Sequence, residues 1–246
     1  MTANSASPLK RLIGNLYQTI DGINEADESG ETALSWAIRR GQPAIAQLLL
    51  SQRNINVNYR NKGRQTPLML AAHFGSISLV RGLLAWRNIK LNARDERGQS
   101  ALFYAAAKGH SAIVARLLAS PAALDLNNKN CYGETPIIAA ASSGSPDTVR
   151  LLLAQPGLEL DFVHDRFTPL TAAAKTGDAD VFDVFLALAM VEPTLLSASS
   201  AHQTLESLQA NLPADINLST PLHNAAEGGH LAIVWRIPSP RLYLKR

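Results

Sequence analysis

The sequence contains few residues of several types, and each scarcity narrows the class of protein. It has a single cysteine, Cys131, in 246 residues, which excludes an internal disulfide and suits a reducing compartment. Aromatic residues make up only 6% of the chain, whereas hydrophobic residues reach 46%, so alanine and leucine must supply most of the core. The formal net charge of +3, without a clustered basic stripe, does not indicate direct nucleic-acid binding.

Signals for export and for membrane insertion are also missing. Residues 1–20 lack the apolar central run that a signal peptide needs. The longest apolar window, residues 184–191, is much shorter than a membrane-spanning helix. The sequence therefore predicts an intracellular protein, cytoplasmic or nuclear, that does not enter a membrane.

Motifs that carry catalytic or metal chemistry are not found in the sequence. It has no glycine-rich phosphate loop and no Cys-x-x-Cys or His-Glu-x-x-His spacing. No set of nucleophile, base and orienting group can be assembled from it, and Cys131 has no adjacent histidine or second cysteine to activate its thiol. We therefore expect no enzyme activity, no catalytic residues, no cofactor and no metal.

What the sequence does contain is an internal repeat of two short helical patterns. Residues 98–118, GQSALFYAAAKGHSAIVARLL, show both patterns, with a glycine between them. Related copies occupy residues 30–50, 64–84, 133–153 and 168–186, with a partial copy at 220–235. The glycines between the two patterns are separated by 34, 34, 35, 33 and 52 residues; they are Gly41, Gly75, Gly109, Gly144, Gly177 and Gly229.

A period near 33, with one turn and two helices per unit, resembles the ankyrin repeat. The copy TPLHNAAEGGHLAIV, at residues 220–234, is close to the signature of that family, and the resemblance covers roughly residues 9 to 237. It implies an all-α ankyrin-repeat solenoid of stacked helix-turn-helix units joined by turn and hairpin loops. The loop style also resembles that of ankyrin proteins from filamentous fungi.

The spacing predicts an array with irregular ends. A polar, disordered N-terminus and a half-repeat cap precede the units, and the cap is expected to cover the apolar side of the first unit. The predicted segments are 1–8 (disordered), 9–26 (half-repeat), five units at 27–60, 61–94, 95–129, 130–162 and 163–189, a helical insert at 190–215, a partial sixth unit at 216–237 and a basic tail at 238–246. Two interpretations of the tail stay open: an irregular cap, or the truncated end of a longer array.

Individual residues carry further expectations. Arg64 stands where the sibling turns have glycine, so we expect a distorted turn with a positive φ at this residue. The resemblance implies that His110, His223 and His230 brace turns, whereas His73 is expected to face the surface. Trp36 and Tyr104, inside first helices, are expected to be partly buried between units.

The resemblance also implies that turn tips and the exposed edge of each first helix line one concave face, which is the usual partner site. Exposed aromatic rings beside arginine are typical of binding hot spots. The residues that we expect to contact a partner are Arg39, Arg40, Lys62, His73, Phe74, Arg97, Lys108, Tyr132, Glu134 and Lys175. Phe167 is expected either to join them or to pack between tips.

The function predicted from these residues is a monomeric, non-catalytic scaffold that binds a partner protein of mixed or mildly acidic surface. Two alternatives stay open. The first is a transcription co-regulator or an accessory protein of a biosynthetic pathway, as the fungal resemblance implies. The second is a pathway enzyme subunit whose activity lies in the insert at 190–215.

Overall fold

The computed structural model describes residues 22–160, 168–191 and 221–236. Within these ranges the regular secondary structure consists of twelve helices in six pairs and no β-strand, apart from an isolated antiparallel bridge between Ala26 and Thr32. The pairs are α1 (Ala33–Arg39) with α2 (Pro43–Leu50), α3 (Pro67–His73) with α4 (Ile77–Leu84), α5 (Ala101–Ala107) with α6 (Ser111–Leu118), α7 (Pro136–Ser142) with α8 (Pro146–Leu153), α9 (Pro169–Thr176) with α10 (Ala179–Val191), and α11 (Pro221–Glu227) with α12 (Leu231–Arg236). The predicted half-repeat helix, the turn of the fifth unit, most of the insert and the tail lie outside the described residues.

Each first helix begins and ends where the sequence repeat places its signals. The hydroxyl of Ser100 accepts a hydrogen bond from the backbone N–H of Phe103 at 3.2 Å, and that of Thr168 accepts one from Thr171 at 3.1 Å. These hydroxyls satisfy N–H groups that a helix start leaves unpaired. After each first helix comes a glycine with positive φ, such as Gly109 at 65°, and this conformation turns the chain into the second helix.

The pairs stack into two layers of helices. The first helices α1, α3, α5, α7, α9 and α11 contact one another in succession, and the second helices α2, α4, α6, α8, α10 and α12 do the same. Alanines such as Ala71, Ala105 and Ala173 are fully buried in the first layer. Because alanine has no side chain beyond Cβ, neighbouring first helices can approach closely. The low aromatic and high alanine content is thus explained by this packing, and the all-α solenoid prediction is confirmed.

The loops after the second helices are joined by a ladder of asparagine side chains. Asn58 donates from Nδ2 to the carbonyl of Asn88 at 2.8 Å and accepts at Oδ1 from the backbone N–H of Lys90 at 2.8 Å. The same two-bond contact to the next loop recurs at Asn24, Asn92 and Asn127. Each of these asparagines therefore bonds the loop of the following unit.

The sixth pair stacks directly on the fifth, although residues 192–220 separate them in sequence. His230 Nε2 lies 3.0 Å from the carbonyl oxygen of Lys175, and Arg236 Nε donates to Asp183 Oδ1 at 2.8 Å. Helix α10 runs to Val191, beyond residue 189, where the sequence placed the end of the fifth unit. Helix α12 is described from Leu231 to Arg236. In the described part of the chain, every helix is too short or too polar to cross a membrane.

Candidate functional site

The turn tips of the first four units, which the structure describes, are each built on one acidic or amide residue. Asp95 accepts at Oδ1 from the backbone N–H groups of Arg97 and Gln99, at 2.9 and 2.8 Å. The backbone N–H of Asp95 donates to the Gln99 carbonyl at 3.0 Å, which closes the turn as a small hairpin. Asp27 and Asn130 accept the same pair of bonds, and Asn61 accepts the one from the residue four positions later. The tips are therefore held in a fixed conformation before any partner arrives.

Whether a tip has aspartate or asparagine correlates with the type of residue nine positions later. Where the first helix supplies an N–H or O–H donor, the tip has aspartate. Trp36 Nε1 donates to Asp27 Oδ2 at 2.6 Å, and the Tyr104 hydroxyl donates to Asp95 Oδ2 at 2.7 Å. These bonds match the chemistry of each group, because a carboxylate only accepts and needs donors on both oxygens.

The ionisation of Asp27 and Tyr104 reflects these bonds. Hydrogen bonds from Ser29 and Trp36 hold the pKa of the Asp27 carboxyl well below its usual range. Burial, with the bond to Asp95, raises the pKa of the Tyr104 hydroxyl to about 12. Asp27 is therefore ionised and the Tyr104 hydroxyl protonated throughout the physiological pH range.

Tips two and three share one polar network with the first helices. Arg39 lies with Nε 2.9 Å from Glu31 Oε1 and donates from Nη2 to Gln65 Oε1 at 2.8 Å. Asn61 donates to the same Glu31 oxygen at 2.8 Å, and Gln65 donates to the Tyr104 hydroxyl at 2.8 Å. This chain of contacts crosses three units, so it fixes the relative positions of their tips.

An aromatic cluster lies beside this network. The His73 ring meets Phe74 edge-on at 4.9 Å and Tyr104 edge-on at 5.3 Å between ring centroids. Burial, together with the positive charges of Lys108 and Arg39 and the neighbouring His110, lowers the pKa of His73. The His73 ring is half-buried and packs against Tyr104, so it faces the surface only in part.

Two of the predicted turn-bracing histidines make the expected type of contact. His110 Nε2 lies 3.2 Å from the carbonyl oxygen of His73, and His230 makes the corresponding contact to Lys175 in the last pair. The prediction is confirmed for these two residues. His223 is exposed.

A cleft of about 420 Å³ opens between the second and third tips. The lining residues are Arg39, Gly63, Gln65, Leu70, His73, Phe74, Asp95, Glu96, Arg97, Gln99 and Tyr104. The lining thus combines the apolar side chains of Leu70 and Phe74 with side chains of both charge signs.

The structure places four of the ten predicted contact residues at the cleft: Arg39, His73, Phe74 and Arg97. Arg40 is exposed and lies over the Trp36 ring at 5.1 Å from its centroid. Lys108, Lys175 and Tyr132 are exposed, and Lys62 donates to the Glu28 carbonyl. Glu134 is half-buried and accepts from Asn130 Nδ2 at 2.9 Å. Phe167 lies outside the described residues.

Sequence reasoning did not include Gln65 and Asp95 among the ten expected contact residues, and it placed Tyr104 partly buried between units. A signal for the first two was present: Glu31, Gln65 and Gln99 precede the capping residue of each first helix at the repeat spacing. Asp27, Asn61 and Asp95 recur at the same spacing, four residues earlier. Polar side chains at fixed repeat positions indicate contacts between units, and comparing units would have found them.

In the described part of the chain, we looked for side chains that could bind a metal ion or act as a nucleophile. Among residues 22–160, 168–191 and 221–236, no three histidine, cysteine, aspartate or glutamate side chains come together in a way that could hold a metal ion. Cys131 is exposed at the fourth tip. Its backbone N–H donates to the carbonyl of Arg97 at 2.8 Å, so the residue also joins two tips.

Comparison with known families agrees with the repeat and with the stacked helix pairs. A model described as ankyrin repeats (3 copies) matches residues 2–95, 68–163 and 102–197. These overlapping matches together span residues 2–197, well over half of the chain. The protein therefore belongs to the ankyrin-repeat family, and it carries a repeat domain of the kind that generally mediates protein–protein interaction.

Proposed function

We propose that the protein is a non-catalytic scaffold that holds a partner protein against the face formed by its tips and first helices. The observation that carries this proposal is the cleft between tips two and three, whose lining includes the exposed side chains of Phe74 and Arg97. Phe74 is 45% exposed beside the cleft, and Tyr132 is 60% exposed on the fourth tip. Large aromatic side chains that are exposed to water are typical of surfaces that a partner protein covers.

The charges around the cleft favour a partner surface that is mixed or mildly acidic. Arg39 is already neutralised by Glu31, so it positions Gln65 and offers no free charge. Arg40, Arg97 and Lys108 are exposed and form no ion pair with a described residue. Glu96 also lines the cleft, which limits the attraction for a strongly acidic partner.

The geometry also favours binding at a low entropic cost. Arg40 is held over the Trp36 ring, and Trp36 is itself bonded to Asp27. The tips are closed by backbone pairs, and the network from Glu31 to Tyr104 links three units. Side chains that are ordered before binding lose less freedom when a partner docks.

The test is capture of partners by a tagged full chain from cell extract, followed by mass spectrometry. The variant Arg40→Ala with Phe74→Ala and Tyr132→Ala should capture the specific partner at least about tenfold less, because hot-spot residues each contribute about 2 kcal/mol or more. Circular dichroism should show an unchanged helical signal.

The control removes three exposed arginines elsewhere: Arg53→Ala, Arg81→Ala and Arg87→Ala. This variant should capture the partner as well as the wild type does. Equal capture by both triple variants would overturn the proposal. A partner that both lose would indicate charge-driven adsorption and not a built site.

A transcription co-regulator, or an accessory protein of a biosynthetic pathway, could use this same face to hold its partner. The location of a tagged chain in the cell distinguishes a nuclear role from a cytoplasmic one.

The rival enzymatic role would require residues 192–213. If deleting these residues removed a pathway product while partner capture stayed intact, the activity would belong to the insert.

A further inference from the structure

Charge is distributed unevenly along the array. Residues 32–94 contain ten arginine and lysine residues and no aspartate or glutamate. Residues 125–183 reverse this balance, with nine carboxylates against four arginine and lysine residues. The helices and loops of the first two units are therefore positively charged, whereas the chain from the third loop to residue 183 has an excess of negative charge.

Four of these cations lie on the layer of the second helices and its loops, and we call them the basic edge: Arg53, Arg81, Arg87 and Lys90. Arg81 is in the last turn of α4, and Arg53 and Arg87 follow the ends of α2 and α4 by three residues. All four are exposed, and none of them forms an ion pair with a described residue. None of them lines the cleft between tips two and three.

The asparagine ladder holds the loops of this edge in register. Each asparagine bonds the backbone N–H of one residue in the next loop, so four residues occupy equivalent positions: Asn56, Lys90, Asp125 and Glu159. Arg53 and Arg87 precede Asn56 and Lys90 by three residues and are therefore also equivalent. The charge of the loop edge thus changes from positive in the first two units to negative in the next two.

Stacking of the units does not require the cations at Arg53 and Arg87. A cation in the last turn of a second helix, such as Arg81, interacts favourably with the C-terminus of that helix. Arg53 and Arg87 lie beyond the helices, and the equivalent residues of the next two loops are Ala122 and Pro156. The two arginines are therefore available for a contact outside the array.

An extended acidic segment of a protein fits this edge in charge and in spacing. Equivalent residues of neighbouring units are about 10 Å apart, because packed helices are separated by about 8–10 Å. A strand rises about 3.3 Å per residue, so carboxylates three residues apart span the same distance. Asp125 and Glu159 would repel an acidic segment that continued along the edge, which limits the contact to the first two units.

The same edge lacks the side chains that favour a single-stranded nucleic acid. Bases stack on exposed aromatic rings, and this stacking contributes much of the affinity of such complexes. In the loops at 51–60 and 85–94 the aromatic residues are Tyr59 and Trp86, and both are half-buried. The observations therefore favour a protein segment over a nucleic acid.

We propose that the basic edge is a binding site for an extended acidic segment of a protein. Carboxylates three residues apart pair with Arg53 and Arg87, while Arg81 and Lys90 strengthen the positive potential around them. The site lies on the layer of the second helices, so it goes beyond the scaffold function proposed for the tips and first helices and does not depend on the cleft.

Fluorescence anisotropy of a labelled peptide tests the proposal on the full chain. The peptide carries four glutamates at every third position, separated by glycine and serine, and is titrated at about 0.1 M salt, where charges more than about 10 Å apart are largely screened. Arg53→Glu with Arg87→Glu should weaken binding by about tenfold or more, because like charges then face each other. The matched control, Arg116→Glu with Arg150→Glu, makes the same change in net charge on α6 and α8 and should weaken binding by less than about twofold.

The proposal would be overturned by any of four results. These are no binding of the peptide by the wild type, equal weakening by the two double variants, equal binding of a peptide with glutamine in place of glutamate, and tighter binding of a single-stranded oligonucleotide of the same charge. The last result would assign the edge to nucleic acid.

Two further variants keep the result unambiguous. Arg53→Gln with Arg87→Gln introduces no negative charge and should weaken binding in the same direction but less, with an unchanged helical signal in circular dichroism. The variant Arg40→Ala with Phe74→Ala and Tyr132→Ala should bind the peptide as well as the wild type does. A failure of the cleft and a failure of the basic edge therefore give different results.

Discussion

Arg64 is the residue at which the sequence departs most clearly from its siblings, and the backbone shows the consequence. In three sibling turns the positive φ falls on a glycine, as at Gly30, Gly98 and Gly133. In the second turn glycine stands one position earlier, and Arg64 takes the left-handed conformation with φ of 59°. The positive φ expected at Arg64 is confirmed, but the expected distortion of the turn is wrong, because the turn keeps the hairpin bonds of its siblings and imposes their conformation on arginine.

Replacing Arg64 by glycine should stabilise the array. The left-handed conformation costs a non-glycine residue about 1–2 kcal/mol of folding free energy, and glycine avoids this cost. Part of the resulting gain is offset, because glycine has greater conformational freedom in the unfolded chain. We expect Arg64→Gly to raise the free energy of unfolding by about 0.5–1 kcal/mol, measured by chemical denaturation. Arg64→Ala keeps the strain and removes only the exposed side chain, so a gain of equal size in that variant would contradict the explanation.

His73 should make stability depend on pH just below neutrality. Its pKa is lowered in the fold, so the unfolded chain binds more protons as pH falls through the ordinary value of 6.5. The stabilising contribution of neutral His73 is therefore complete above pH 6.5 and is lost as the pH falls below it. Asp27 does not contribute to this change, because its lowered pKa affects stability only as the pH falls below the ordinary aspartate value of 3.8.

The measurement compares the wild type with His73→Gln between about pH 7 and pH 5, where histidines titrate. The wild type should lose more stability over this range than the variant does. The other histidines are common to both proteins and cancel in the difference. Parallel stability curves would contradict a lowered pKa for His73 in the folded protein.

Among the connecting elements, the asparagine ladder joins successive loops through both atoms of each amide. Asn58→Asp keeps the acceptor oxygen but removes the donor to the Asn88 carbonyl and adds a negative charge beside it. We expect a loss of about 1 kcal/mol in the free energy of unfolding, as for a typical hydrogen bond. Asn88→Asp adds the same charge at an exposed side chain on the same edge and should change stability by less than about 0.5 kcal/mol. Equal losses would assign the effect to charge alone.

The six helix pairs that the structure describes form one continuous stack, even across the long interval between α10 and α11. Ile233 is fully buried in the sixth pair, and Leu231 in the same helix is exposed. Ile233→Ala should lose about 2 kcal/mol or more of local stability, because it leaves a cavity. Hydrogen exchange of α11 and α12 should then accelerate more than about tenfold. Leu231→Ala is the control and should leave exchange nearly unchanged.

The stack itself could be predicted because its causes recur in the sequence. The threonine or serine caps, the glycine between helices and the paired leucines return at a nearly constant period, and each acts within its own unit. The cleft could not be predicted in the same way. Gln65 and Tyr104 are bonded across 39 residues, and Arg39 and Gln65 across 26. These contacts depend on how successive tips are placed beside each other.

The sequence by itself determined the helix pairs, their order and the family, because local caps, turns and apolar spacing are properties of a single unit. Tertiary structure alone decided that Arg39 is neutralised by Glu31, that the His73 ring packs against Tyr104 and that the asparagines join neighbouring loops. The physical reason is that the partners of these side chains belong to neighbouring units, about one repeat away in the sequence. Only the stacking of the units brings the two residues together.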